Sequence, residues 1–187
     1  MGNKIITPEF RGSYCNLLTP RAPNPESDPV YSILIVLPKK SADTKRFIKQ
    51  LEKEIAAASL EKHGKVIPAS KLKHYPIKDG DDEEDDGFHG HWLVRASNSR
   101  KPEVIDRKRN TLFEEEDVYS GAWYRVTVDV WAWDNPVGGK GCSINLRNVL
   151  KVKDDEPFTS RAKAEDDFND VLDDDDAEDD DDDGLLD

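Results

Sequence analysis

Between Ala122 and Trp133 the chain alternates with a period of two, and the alternation sorts its residues onto two faces. Ala122, Tyr124, Val126, Val128, Val130 and Ala132 make an apolar face of the kind a sheet packs on a core. Trp123, Arg125, Thr127, Asp129, Trp131 and Trp133 make the other face, which carries three of the chain's four tryptophans. Turn formers follow, Asp134-Asn-Pro-Val-Gly-Gly-Lys-Gly141, and they predict a hairpin loop. The returning run, Cys142 to Lys153, places Ile144, Leu146, Leu150 and Val152 on one face. Ser143, Asn145, Arg147, Lys151 and Lys153 fall on the other, beside the tryptophans.

Upstream, residues 1–8 read as a short arm and Phe10 to Thr19 as a strand closed by Pro20. A proline-rich connection leads to Val30–Leu37, a nearly continuous apolar run that predicts a strand buried on both faces. Ser41 or Asp43 can cap a helix over about 43–63, with Phe47, Ile48, Leu51, Ile55 and Ala58 at helical spacing and Gly64 as its stop. Lys71 to Lys78 is a short basic strand or turn. Asp79 to Asp86 is an acidic loop, because like charges repel and nothing apolar anchors it. Phe88 to Ala96 is a strand with Trp92, Val94 and Ala96 on one face, and Glu103 to Asp106 adds a shorter one. About six or seven strands and one helix, in mostly antiparallel order, define an all-β class with one helix. The architecture that fits is an OB-fold-like antiparallel β-barrel over 1–153, followed by a disordered acidic C-terminal tail over 154–187.

Charge sharpens this division. The chain has 40 acidic and 27 basic residues, but 18 of the acids and only 2 of the bases lie in 154–187. Residues 1–153 keep 25 bases against 22 acids, and 7 of those acids sit in the run Asp79–Asp86. The acidic pI therefore describes the tail, while the body is basic and suited to polyanions. Cys15 and Cys142 are too few for a disulfide framework or a zinc site, and two free thiols in a reducing compartment are expected. No signal peptide and no run of membrane-spanning length is evident, so a soluble intracellular protein with no membrane partner is expected.

The face with the tryptophans suits flat, anionic ligands. Each base stacked on an aromatic ring contributes about 1–3 kcal/mol whatever the base, and neighbouring cations neutralise phosphates. The candidate DNA-binding residues are Trp123, Trp131 and Trp133 for stacking and Arg125, Lys140, Arg147, Lys151 and Lys153 for phosphates. Lys71, Lys73 and Arg95 are candidates across the groove. Against this stands the plainer reading in which a tryptophan near a strand end closes the barrel. Polyaspartate at Asp179, Asp180, Asp181, Asp182 and Asp183 can imitate a phosphate backbone, and Leu185 and Leu186 offer a partner a small apolar grip. EF-hand, P-loop and catalytic-triad patterns fail on spacing, so no cofactor, no metal and no enzymatic activity are expected.

Several stretches resemble the phage single-stranded DNA-binding protein family. They include Tyr119-Ser-Gly, Trp131-Ala-Trp-Asp134, Gly139-Lys-Gly-Cys-Ser-Ile-Asn-Leu-Arg-Asn-Val149, Asp154-Asp-Glu-Pro-Phe158 and Ala164-Glu-Asp-Asp-Phe168. Pro20-Arg-Ala-Pro23, Leu37-Pro-Lys39 and Lys101-Pro-Glu-Val-Ile-Asp106 continue the likeness, which runs in patches over about 9–169. The resemblance implies an OB fold, sequence-tolerant binding of single-stranded DNA, and a tail that guards the groove and contacts polymerase or primase-helicase. It also implies work in replication, recombination or repair, in the cytoplasm of an infected bacterial host; a homodimer is compatible with it. The family's functional type often ends in an aromatic residue, whereas here Leu185 and Leu186 precede a final Asp. Two rivals remain: an acidic DNA mimic or adaptor acting through the tail, and a metal-dependent nuclease using Asp79–Asp86.

Overall fold

The computed structural model describes residues 2–158, a mostly β structure with a single α-helix. Its strands are β1 (Ile5–Ile6), β2 (Phe10–Arg21), β3 (Val30–Pro38), β4 (Ile77–Asp79), β5 (His91–Asn98), β6 (Val104–Ile105), β7 (Trp123–Asn135) and β8 (Gly139–Lys153). The helix α1 (Ala42–His63) lies between β3 and β4. Its ends follow the sequence signals. Ser41 Oγ accepts the Thr44 N–H at 3.4 Å, and Gly64, at φ 69°, donates its N–H to the Leu60 carbonyl at 2.9 Å. Phe47, Ile48, Leu51 and Ile55 are buried on the helix face turned to the core.

The sheet closes on itself. β7 pairs with β2 at one edge and with β8 at the other, and β2, β3, β5 and β8 are joined in that order. Four of the five seams of this barrel are antiparallel, and the fifth, β5 with β8, is parallel. Closure removes the long open edges that a curved sheet of this size would otherwise present. The alternation in β7 survives as read: Ala122, Tyr124, Val126, Val128 and Val130 are all buried in the core. Ile33, Ile35 and Leu37 of β3 meet Val94 and Ala96 of β5 there.

Three details depart from the sequence reading. First, β3 is not buried on both faces. Leu34 and Val36 are half-exposed on the outer side, because no second layer covers it there. Second, a β-bulge interrupts the hairpin: Val126 pairs with Val149 and Val128 with Leu146, so Arg147 and Asn148 oppose the single residue Thr127. The extra residue inverts the parity beyond it. Val149, rather than Leu150, enters the core, and Lys151 leaves the tryptophan face on which alternation had placed it.

Third, the acidic run is anchored. Asp79 and Asp81 both bind the ammonium of Lys39, Asp81 at 2.6 Å, and Lys39 sits 4.6 Å over the Trp92 ring. Hydrogen bonds from Lys39 hold both carboxyls below the usual carboxylate range. Asp81 Oδ1 also accepts the Gly90 N–H at 2.6 Å. Gly80 is buried so tightly that a Cβ there would lie 2.7 Å from the His91 carbonyl oxygen. The cation that organises this run is forty residues away in sequence, outside any local reading.

Candidate nucleic-acid interface

The hairpin end is built first by its turn. Asn135 Oδ1 accepts the Val137 N–H at 3.0 Å, and Gly139 adopts φ 82°, which a residue with a Cβ would resist. Trp133 pairs with Gly141, and its ring covers that glycine so closely that any Cβ there would overlap it. Its Nε1–H donates to Ser143 Oγ at 3.0 Å, which fixes the indole half-buried against β8. Trp131, two residues earlier on the same face, has no such cover and is 50% exposed.

The basic segment 71–74 is stitched to the start of β8. Lys73 N–H donates to the Lys140 carbonyl at 2.9 Å, and Cys142 N–H donates to the His74 carbonyl at 3.1 Å. Lys71, Lys73 and Lys140 are therefore gathered at the hairpin end, with Lys140 Nζ 4.0 Å from Asp134. Arg95 joins the same face by register. Leu34 pairs with Arg95, Ser97 with Asn145, and Ser143 with Trp131. Since β5 and β8 are parallel, Arg95 and Ser143 stand side by side two residues before Ser97 and Asn145. A row of outward residues thus crosses four strands: Leu34, Arg95, Ser143, Trp131.

Arg147 lies one level further on, and its guanidinium is paired with Asp129. Asp129 is only 4% exposed, although alternation alone puts it on the outer face. The pair joins adjacent strands and neutralises a cation that sequence reasoning offered to phosphate. Replacing Arg147 by Met strands a buried carboxylate and should lower stability by roughly 1–3 kcal/mol in urea unfolding. Asp129→Asn, by contrast, frees the guanidinium. It should steepen the salt dependence of nucleic-acid binding by about one unit of log–log slope.

The remaining candidates sit at the opposite end of β7. Trp123 is eight residues from Trp131, about 26 Å along an extended strand, so the two rings cannot serve adjacent bases. Lys153 Nζ lies 4.8 Å over the Trp123 ring, and Trp123 Nε1–H donates to Asp155 Oδ2 at 2.8 Å. Lys151 is 8% exposed, with Nζ 2.7 Å from Asp154 and 5.3 Å from the Tyr119 ring centroid. Tyr119 O–H donates to Asp154 at 2.9 Å, and Arg11 Nη2–H donates to the Glu156 carbonyl at 2.6 Å. The hydrogen bond from Lys151 holds the Asp154 carboxyl below its usual range, and that from Trp123 does the same for Asp155. Arg125 is exposed, but its Nε–H donates to the Thr7 carbonyl at 2.9 Å.

The eleven sequence candidates thus divide into two groups. Arg95, Trp131, Trp133, Lys71, Lys73 and Lys140 come together around the hairpin end, with Arg147 beside them in a pair. Trp123, Arg125, Lys151 and Lys153 form a second cluster, into which the start of the acidic segment folds. Arg11 and Tyr119 complete that cluster and escaped sequence reasoning as charge partners; the Tyr119-Ser-Gly motif was their one local signal. Asp179–Asp183, Leu185 and Leu186 lie outside the described residues.

A family model described as "Enterobacter phage Enc34, ssDNA-binding protein" matches residues 3–182. The chain belongs to that family. The resemblance read from the motifs is borne out, and the family is one of DNA-binding proteins rather than enzymes. Within the Enc34 family, the solved single-stranded DNA-binding protein from bacteriophage Enc34 in complex with ssDNA shares 29% identity. It aligns with a TM-score of 0.73 over 83% of this chain and 89% of that one. Gp2.5, a single-stranded DNA-binding protein encoded by bacteriophage T7, shares the fold at a TM-score of 0.58 and 16% identity, over 100% of both chains. The putative protein p50 of Acyrthosiphon pisum secondary endosymbiont phage 1 is 37% identical over 97 residues. That match covers 51% of this chain and 52% of the relative, so the chain spans about half the length of the curated relative it matches. Among the described residues of this Enc34-family chain, no helix is long and apolar enough to cross a membrane.

Proposed function

We propose that the chain binds single-stranded DNA without sequence preference, through the outer face that carries Trp131. The observation that carries this reading is the row Arg95–Ser143–Trp131, flanked by Trp133, Lys71, Lys73 and Lys140. An exposed indole beside several cations suits base stacking with phosphate neutralisation, and a readout of base edges needs no part in it. Membership of a family of phage ssDNA-binding proteins supports the same conclusion.

In this mechanism bases stack on Trp131 and Trp133 while phosphates follow Arg95, Lys140, Lys71 and Lys73. Trp123, Lys153 and Arg125, at the other end of β7, form a separate and weaker contact region, since the Trp123 ring and N–H are already engaged. Lys151 contributes through the Asp154 pair, since its ammonium is withdrawn from the surface. The acidic tail competes with DNA for the basic face and, once displaced, recruits replication enzymes through Asp179–Asp183 with Leu185 and Leu186. Service in replication, recombination or repair follows from that recruitment.

Quenching of tryptophan fluorescence by oligo-dT, measured against duplex DNA and across a salt series, tests the reading directly. Strong, salt-sensitive quenching by the single strand is expected. No quenching would return the chain to the alternative of an acidic mimic or adaptor. Truncation after Phe168 should tighten DNA binding at low salt; an unchanged affinity there would remove the competition from the mechanism.

A further inference from the structure

The outer row has an end on β2 that alternation conceals. Phe10 and Gly12 face the barrel interior: Phe10 is buried, and a Cβ on Gly12 would lie 2.7 Å from the Tyr124 ring. Strict alternation would then send Tyr14 inward as well. Instead the pairing of β2 with β3 slips between Ser13–Leu34 and Asn16–Ser32, and the inward positions resume at Cys15 and Leu17. Tyr14 is turned out by this bulge and is 64% exposed.

It stands there at a cost. Tyr14 has φ 48°, a left-handed conformation that residues other than Gly, Asn and Asp seldom adopt. The bulge is held from both sides. Cys15 N–H donates to Ser120 Oγ at 3.1 Å, and Asn16 Nδ2 donates to the Tyr14 carbonyl and to Ser32 Oγ, each at 3.3 Å. Backbone strain that a fold maintains while exposing an aromatic ring to water is of no use to the core. Ser13, the residue just before it, pairs across the seam with Leu34, whose partner on the other side is Arg95. The row Leu34–Arg95–Ser143–Trp131 thus reaches β2 at Ser13, and the exposed Tyr14 ring stands next to that end, on the side opposite the tryptophan. Arg95 sits at its centre, about 10 Å from either flank by strand spacing.

We infer that Tyr14 is a second stacking platform for single-stranded nucleic acid, so that the strand crosses β2, β3, β5, β8 and β7 rather than running along β7. This rests on the proposed single-strand binding. Tyr14→Ala in the full-length chain should weaken oligo-dT binding about 5- to 150-fold, one base stack's worth. The salt slope should not change, because no charge is removed. Tyr14→Phe should bind like the wild type. Tyr14→Gly should bind as weakly as the alanine variant yet melt at a higher temperature than the wild type, since glycine accepts φ 48° freely. Wild-type binding with an unaltered alanine variant overturns this assignment alone. Lower melting temperatures in both the Ala and Gly variants, with binding falling in step, give Tyr14 to the fold and also overturn it. Failure of the wild-type chain to bind oligo-dT removes the parent reading and this one together.

Discussion

Replacing Trp131 and Trp133 together by alanine should weaken single-stranded oligonucleotide binding by about 2–6 kcal/mol, taking about 1–3 kcal/mol for each lost stack. That is roughly 30-fold to 10⁴-fold in affinity, with most of the fluorescence quenching lost as well. The two rings should not contribute alike. Trp131 is half-exposed and its indole N–H has no hydrogen-bond partner among the described residues, so Trp131→Ala should leave the melting temperature close to wild type. Trp133 covers Gly141 and donates to Ser143, so its loss loosens the hairpin as well as the stack. Trp123→Ala serves as the control. Its ring is already capped by Lys153 and its N–H held by Asp155, so a smaller loss of binding is expected. Equal losses at Trp123 and Trp131, measured by titration at fixed salt, would mean that DNA runs along β7 and would refute the crossing path.

Much of this site could be read in the sequence because its strongest signals are local. The period of two in Ala122–Trp133 depends on the pleat alone, and the glycine-rich turn after Asp134 depends on φ alone. The helix over 42–63 announced itself through spacing and through Ser41 and Gly64. What escaped were events that need a partner far along the chain. The bulge at Arg147–Asn148 leaves no mark in composition, yet it moves Lys151 off the tryptophan face and Val149 into the core. Asp129 looked like one more outward polar residue until Arg147 arrived across the hairpin. Lys39 converts a self-repelling acidic run into an anchored turn. In the hairpin alternation found the right strands, and a long-range charge or a single extra residue decided which way a side chain faces. The site's cations were legible by type; whether each cation was already paired was not.

The largest stability effect should come from Tyr124, and it separates the two jobs that residue performs. Tyr124 is fully buried in the barrel, 6.5 Å from Phe10 between ring centroids. Its O–H donates to the Tyr119 carbonyl at 2.7 Å and its oxygen accepts the Tyr119 N–H at 2.9 Å. Burial pushes the phenol far above its ordinary pKa, so the hydroxyl keeps its proton, and this two-way bond, at any pH the fold survives. Tyr124→Ala removes a large ring from a closed core and should cost about 3–5 kcal/mol, a third or more of the stability of many domains. Tyr124→Phe keeps the packing but leaves both Tyr119 backbone groups without a partner, which should cost about 1–3 kcal/mol. Because Tyr119 holds Asp154, the phenylalanine variant should also release the start of the acidic segment from Lys151. Trp123 emission should then shift in the folded state, before any unfolding. Urea unfolding followed by circular dichroism reads the first effect, and Trp123 emission in a Trp92, Trp131 and Trp133 to Phe background reads the second. A phenylalanine variant as stable as the wild type, with unshifted emission, would show that the hydroxyl does not connect the core to the Trp123 end of the face.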